Sequence, residues 1–143
     1  MQISIDQGLF EWPAAEPRLI GSECADCGVV AFPRQGTCPR CCGENVAPRK
    51  LGSRGTLWTW TTQEFPPKAP YAGPTAPGEF RPYLVGYVEL PGEVIVESRL
   101  EADPSHPPAI GTPMQLVFRP LYTNERGEEV VTYAFAPVTE AAR

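Results

Sequence analysis

The chain has 143 residues and a formal net charge of −5, enough for one ordinary domain or a small module attached to a single core. Its acidity argues against a general affinity for nucleic acid, which comes mainly from neutralising phosphates. With 18 prolines, each fixing φ and removing a backbone donor, the composition is that of a mainly β protein.

Residues 1–22 form an N-terminal segment. Leu9, Phe10 and Trp12 make an apolar cluster, while Pro13 and Pro17 exclude a long helix, so a short helix or turn is expected. Met1 to Ile20 has neither a basic start nor an apolar run, and no export signal is expected. No apolar run approaches the roughly 20 residues that span a bilayer, so a membrane role is not expected either.

Residues 23–50 read as a metal ribbon. Cys24-Ala25-Asp26-Cys27 is followed after ten residues by Cys38-Pro39-Arg40-Cys41. A two-residue gap lets each pair wrap one side of an ion, and the intervening residues form a hairpin that brings the pairs together. Short strands are expected over Arg18–Glu23 and Val29–Phe32, and Asn45–Leu51 leads from the second turn to the main domain. Four thiolates form a closed tetrahedral set, so the ion is expected to be structural zinc, with iron chemically acceptable. Reduced cysteines used as ligands point to the cytoplasm. Cys42 makes the cysteine count odd. Cys41 repeats the spacing of the first pair, which leaves Cys42 as a free thiol. From Arg34 to Arg54 five basic residues (Arg34, Arg40, Arg49, Lys50, Arg54) face one acid, Glu44. Such a cluster is either a solvated face or a surface for an anionic ligand such as a phosphorylated cofactor.

Residues 51–143 read as successive strands: Gly55–Thr62, Pro82–Leu90, Val94–Leu100, Met114–Arg119 and Val130–Phe135. Alternation in the first would put Trp58, Trp60 and Thr62 on one face. Five strands this short bury a core by curling into a barrel, and a five-stranded OB-type barrel is the economical form. The long connection between Gln63 and Arg81 is rich in proline and carries Phe65, Tyr71 and Phe80. A recognition arm is expected there, since the loop between the first two strands of an OB barrel is a usual ligand-facing element. His106 is the lone histidine, and no partner acid can be assigned to it from sequence. No nucleophile elbow, phosphate loop or dinucleotide fingerprint is present. The chain reads as a binding and assembly module.

These motifs together resemble the zinc-ribbon/OB-fold family whose members partner thiolase-like enzymes. The resemblance is carried by Cys24–Gly28, Phe32-Pro33-Arg34, Cys38–Cys41, Gly55-Thr56-Leu57, Pro82–Leu90 and Phe135-Ala136-Pro137. Cys42 departs from it, since the family usually has Gly directly after the fourth ligand. The resemblance implies a non-catalytic accessory subunit in a hetero-oligomer, two copies of each chain, with a thiolase-like aldolase. That complex would cleave a β-hydroxyacyl-CoA, such as a steroid side chain, by a retro-aldol reaction. A coenzyme A thioester would then be the ligand of the complex. Chemistry and position suggest Arg34, Lys68 and Arg81 for its phosphate or pantetheine, and Tyr71 and Phe80 for its acyl group. Rival readings are a single-stranded nucleic-acid binder stacking bases on Trp58 and Trp60, and a rubredoxin-like iron electron carrier.

Overall fold

The computed structural model describes residues 1–6, 8–68 and 78–138. The described residues contain no helix. They form nine strands: β1 (Gln2–Ser4), β2 (Ile20–Cys24), β3 (Val30–Ala31), β4 (Val46–Lys50), β5 (Arg54–Gln63), β6 (Tyr83–Leu90), β7 (Val94–Leu100), β8 (Pro113–Thr123) and β9 (Glu129–Pro137).

Five of these close on themselves in the order β5-β6-β7-β9-β8, with β8 returning to β5. All neighbours are antiparallel except β7 and β9, which run parallel where Leu100 pairs with Phe135. This is the OB barrel expected from the strand pattern. Alternation drives it: Leu84, Gly86, Val88 and Leu90 of β6 point inward, and so do Val96, Ser98 and Leu100 of β7. Gly86 is needed at its position, because a Cβ there would lie 2.7 Å from the Thr59 carbonyl oxygen and 2.8 Å from Leu100. A turn at Pro91-Gly92-Glu93 joins β6 to β7, with Gly92 at φ 71°, a conformation that suits glycine.

The second sheet is the ribbon, ordered β3-β2-β4. Its root enters the barrel core, since Leu19 and Leu51 belong to the same buried cluster as Leu57, Leu84 and Phe135.

Strand β4 forms where the sequence reading had only an exit from the ribbon, and the structure departs from that reading in three further places. The N-terminal segment contains turns, as expected, but also strand β1, which pairs in parallel with Glu129–Val131 of β9. Strands β8 and β9 run past the barrel and expose an edge that these three residues satisfy; so short a stretch has no readable period of its own. Strand β8 also continues beyond Arg119 through Pro120. The register shift between Pro120 and Tyr122 accommodates that proline, as edges and bulges allow. Finally, Trp58 and Trp60 do not share a face. A bulge between Leu57 and Thr59 adds one residue to β5. Leu57 and Trp60 therefore pack against the core, while Trp58 is 54% exposed. The Leu9, Phe10 and Trp12 cluster lies against the barrel, with Phe10 and Trp12 ring centroids 4.8 and 5.5 Å from Phe118.

Candidate functional site

Strand β2 ends on Cys24, and the chain then turns so that the Gly28 N–H donates to the Cys24 carbonyl at 2.9 Å. The second turn repeats the first, with the Cys42 N–H donating to the Cys38 carbonyl at 3.0 Å. Gly28 and Cys42 occupy equivalent left-handed positions, φ 78° and 62°. The β2–β4 pairing sets these two turns opposite each other. All four sulfurs of Cys24, Cys27, Cys38 and Cys41 lie within 4.8 Å of one another. Cys24 to Cys41 is 3.7 Å and Cys27 to Cys38 is 3.4 Å. A tetrahedral ion with Zn–S bonds of about 2.3 Å separates its sulfurs by about 3.8 Å. The spacing fits such an ion and is far too long for a disulfide.

The electrostatics point the same way. Backbone N–H groups of Cys41 and Arg40, each 3.4 Å from the Cys38 sulfur, favour its thiolate and lower its pKa to about 6. The Gly43 N–H pulls Cys41 in the same direction, but the neighbouring sulfurs of Cys24 and Cys38 and burial outweigh it, pushing Cys41 up to about 12. For Cys27 the Val29 N–H likewise loses to the Cys38 sulfur, and its pKa is raised. Four negative sulfurs cannot crowd together without a cation. These four cysteines are thus positioned to bind a metal, which would supply the missing charge. With four protein donors a tetrahedral set is full. The exposed Cys42 side chain stands outside it.

The other sequence-suggested residues are more scattered. Arg34 is exposed and lines a shallow ribbon cavity of ≈ 270 Å³ with Ser22 and Val46, to which Lys68, Phe80 and Arg81 contribute nothing. Lys68 and Arg81 are exposed, whereas Phe80 is half-buried with its ring 6.0 Å from that of Tyr83. Tyr71 lies outside the described residues. His106 is exposed in a turn, 3.4 Å from the Asp103 carboxylate. The Ser105 N–H and then His106 hold Asp103 below the usual carboxylate range.

A groove that the sequence reading missed lies where ribbon and barrel meet. It encloses ≈ 810 Å³ between Phe32 and Pro33 of the ribbon, Trp58, Tyr83, Tyr87 and Ile95 on the outer face of β5–β7, and Tyr133 of β9. Phe32 meets Tyr133 edge-on at 5.7 Å, and Trp58 lies 6.1 Å from Tyr87. The Tyr133 hydroxyl donates to the Glu97 carbonyl at 2.9 Å; burial, then the Glu97 charge, push its pKa up to about 12. The Arg99 guanidinium stacks 4.2 Å over the Tyr83 ring. One acid, Glu97, and one base, Arg99, leave the lining without net charge. The available signal was that β6 is apolar on both faces: Leu84, Val88 and Leu90 inward, Tyr83, Val85 and Tyr87 outward. A single-layer barrel needs only one apolar face, so the second marks a surface suited to contact rather than to solvent.

Two family models match the chain. Residues 12–47 match the ChsH2 rubredoxin-like zinc ribbon domain, and residues 48–119 match the ChsH2 C-terminal OB-fold domain. The benzoylsuccinyl-CoA thiolase subunit BbsA of Thauera aromatica is 28% identical, over 91% of this chain and 85% of that protein. A DUF35 domain-containing scaffold protein of Methanothermobacter thermautotrophicus is 31% identical, over 82% of this chain and 83% of its own length. Among solved structures, the Ltp2-ChsH2(DUF35) aldolase shares the fold, with a TM-score of 0.61 at 22% identity over 85% of this chain and 86% of that one.

Proposed function

The chain belongs to the DUF35 family of zinc-ribbon and OB-fold proteins, and from that premise we propose that it is a non-catalytic accessory subunit of a thiolase-like acyl-CoA aldolase. The observation that carries this reading is the aromatic groove. Trp58, Tyr87 and Ile95 are 54%, 41% and 40% exposed, and large aromatic side chains of this kind anchor protein interfaces. Relatives described as a thiolase subunit and a scaffold protein support the same role.

In this proposal the partner supplies the base and the oxyanion site that stabilise a thioester enolate during retro-aldol cleavage of a β-hydroxyacyl-CoA, such as a steroid side chain. This chain stabilises the partner and closes the substrate channel. Arg34, Lys68 and Arg81 offer cations to phosphate or pantetheine, while Tyr71 and Phe80 offer apolar contacts to the acyl group. Assembly with two copies of each chain and a cytoplasmic setting complete the proposal.

The Trp58–Tyr87 pair also suits base stacking, but a lining of balanced charge gives no purchase on phosphates. Co-expression with a thiolase-like aldolase, followed by size-exclusion chromatography and an acyl-CoA cleavage assay, tests the reading. Co-elution and an activity that needs both chains are expected. Separate elution with full activity of the partner alone would overturn it, and salt-dependent micromolar binding of a single-stranded oligonucleotide would replace it.

A further inference from the structure

Ribbon and barrel are joined by more than the chain between them. Glu93 closes the turn from β6 to β7 on the barrel, and its side chain is only 12% exposed. One carboxylate oxygen accepts the Gly52 N–H at 2.7 Å. The other accepts from Arg49 of ribbon strand β4, whose Nε and Nη2 both lie 3.1 Å away. Arg49 also donates from Nη1 to Glu23 at 2.8 Å, and Glu23 immediately precedes the ligand Cys24 on β2. A relay of charged hydrogen bonds thus runs from beside the metal ligands, across both long ribbon strands, to the barrel. A guanidinium fork on a carboxylate is directional and sets an angle. The apolar contacts of Leu19 and Leu51 hold the ribbon root without that constraint, because apolar burial is non-directional. The angle matters because it holds Phe32 against Tyr133 and so forms the ribbon wall of the groove.

We propose that Glu93 is a positioning residue that, through Arg49, couples the metal-bound state of the ribbon to the stability of the barrel and to closure of the groove's ribbon wall. With metal bound, β2 and β4 stay paired and Arg49 faces Glu93. Without it the ribbon strands separate, Arg49 leaves, and a nearly buried carboxylate keeps only the Gly52 donor. Such a group is costly to leave unpaired. The barrel therefore senses the metal, and by reciprocity the intact barrel tightens metal binding. This inference concerns the chain by itself and does not depend on the proposed partner.

The test is a cycle on the purified full chain: thermal melting of the barrel, with zinc and after chelation, for the native protein and for Glu93→Gln. Glutamine keeps the volume and an acceptor for Gly52, so the variant should fold. Chelation should lower the native midpoint, and the drop should shrink to about half or less in the variant. A chelator should also strip zinc from the variant about fivefold or more readily. At saturating zinc, amides around Phe32 should exchange faster in the variant than in the native chain. Arg49→Lys, which keeps the charge but loses the fork, should behave likewise. Equal chelation shifts in native and variant chains would overturn the coupling, and unchanged exchange around Phe32 would overturn the role in groove closure.

Discussion

The ribbon strands β2, β3 and β4 run 5, 2 and 5 residues, and the hydrophobic side chains buried beyond the ribbon's root are Cys24, Ala31 and Cys38. The barrel strands run 7 to 11 residues, and Leu57, Leu84, Val88, Leu90, Val96, Leu100, Met114 and Phe135 share one core. One region buries mainly its own metal ligands, and the other buries a continuous apolar core. Their folding free energies therefore come from different sources: ion coordination on one side, removal of apolar surface from water on the other.

Metal removal should separate the two most sharply. In Cys27→Ser the ribbon should lose on the order of 10 kcal/mol of apparent stabilisation, with metal content falling and ribbon amides exchanging freely. Barrel amides should stay protected, and a barrel that unfolds along with the ribbon would erase the distinction. Leu84→Ala attacks the other side. Leu84 is fully buried, so its truncation should cost about 3 kcal/mol in denaturant melts of the barrel, with metal content unchanged. Trp58→Ala should disturb neither region, shifting stability by under about 0.5 kcal/mol. It should nonetheless weaken assembly with the proposed thiolase-like partner about tenfold or more, measured by titration calorimetry. The smallest effect belongs to Cys42→Gly. Cys42 is exposed and held at φ 62°, where a side chain is strained, so glycine should stabilise the ribbon by about 0.5–1 kcal/mol without altering metal content.

The Cys42 case shows how far local pattern reaches. The equivalence of the two metal turns is visible in the paired CxxC spacing, and Gly28 marks the left-handed position in the first. The barrel strands were legible for a related reason, since short runs rich in β-branched and aromatic residues bounded by turn residues are a local signal. Strand β1 was not, because three residues become a strand only where β9 offers an edge. Chemistry and position along the chain single out Arg34, Lys68, Arg81, Tyr71 and Phe80 as candidates for acyl-CoA contact, and neither says which surfaces face each other.

From residue order alone came the sulfur ligand set, the β class and the barrel strands as separate segments, all of which depend on local spacing and composition; the order in which those strands pair came from the structure. Tertiary structure decided that Trp58 faces out while Trp60 faces in, that Phe32 of the ribbon meets Tyr133 of the barrel, and that Arg49 reaches Glu93. The physical reason is that a single bulge reverses a strand's faces, and that pairings between residues 44 or more positions apart depend on how two separately folded sheets pack.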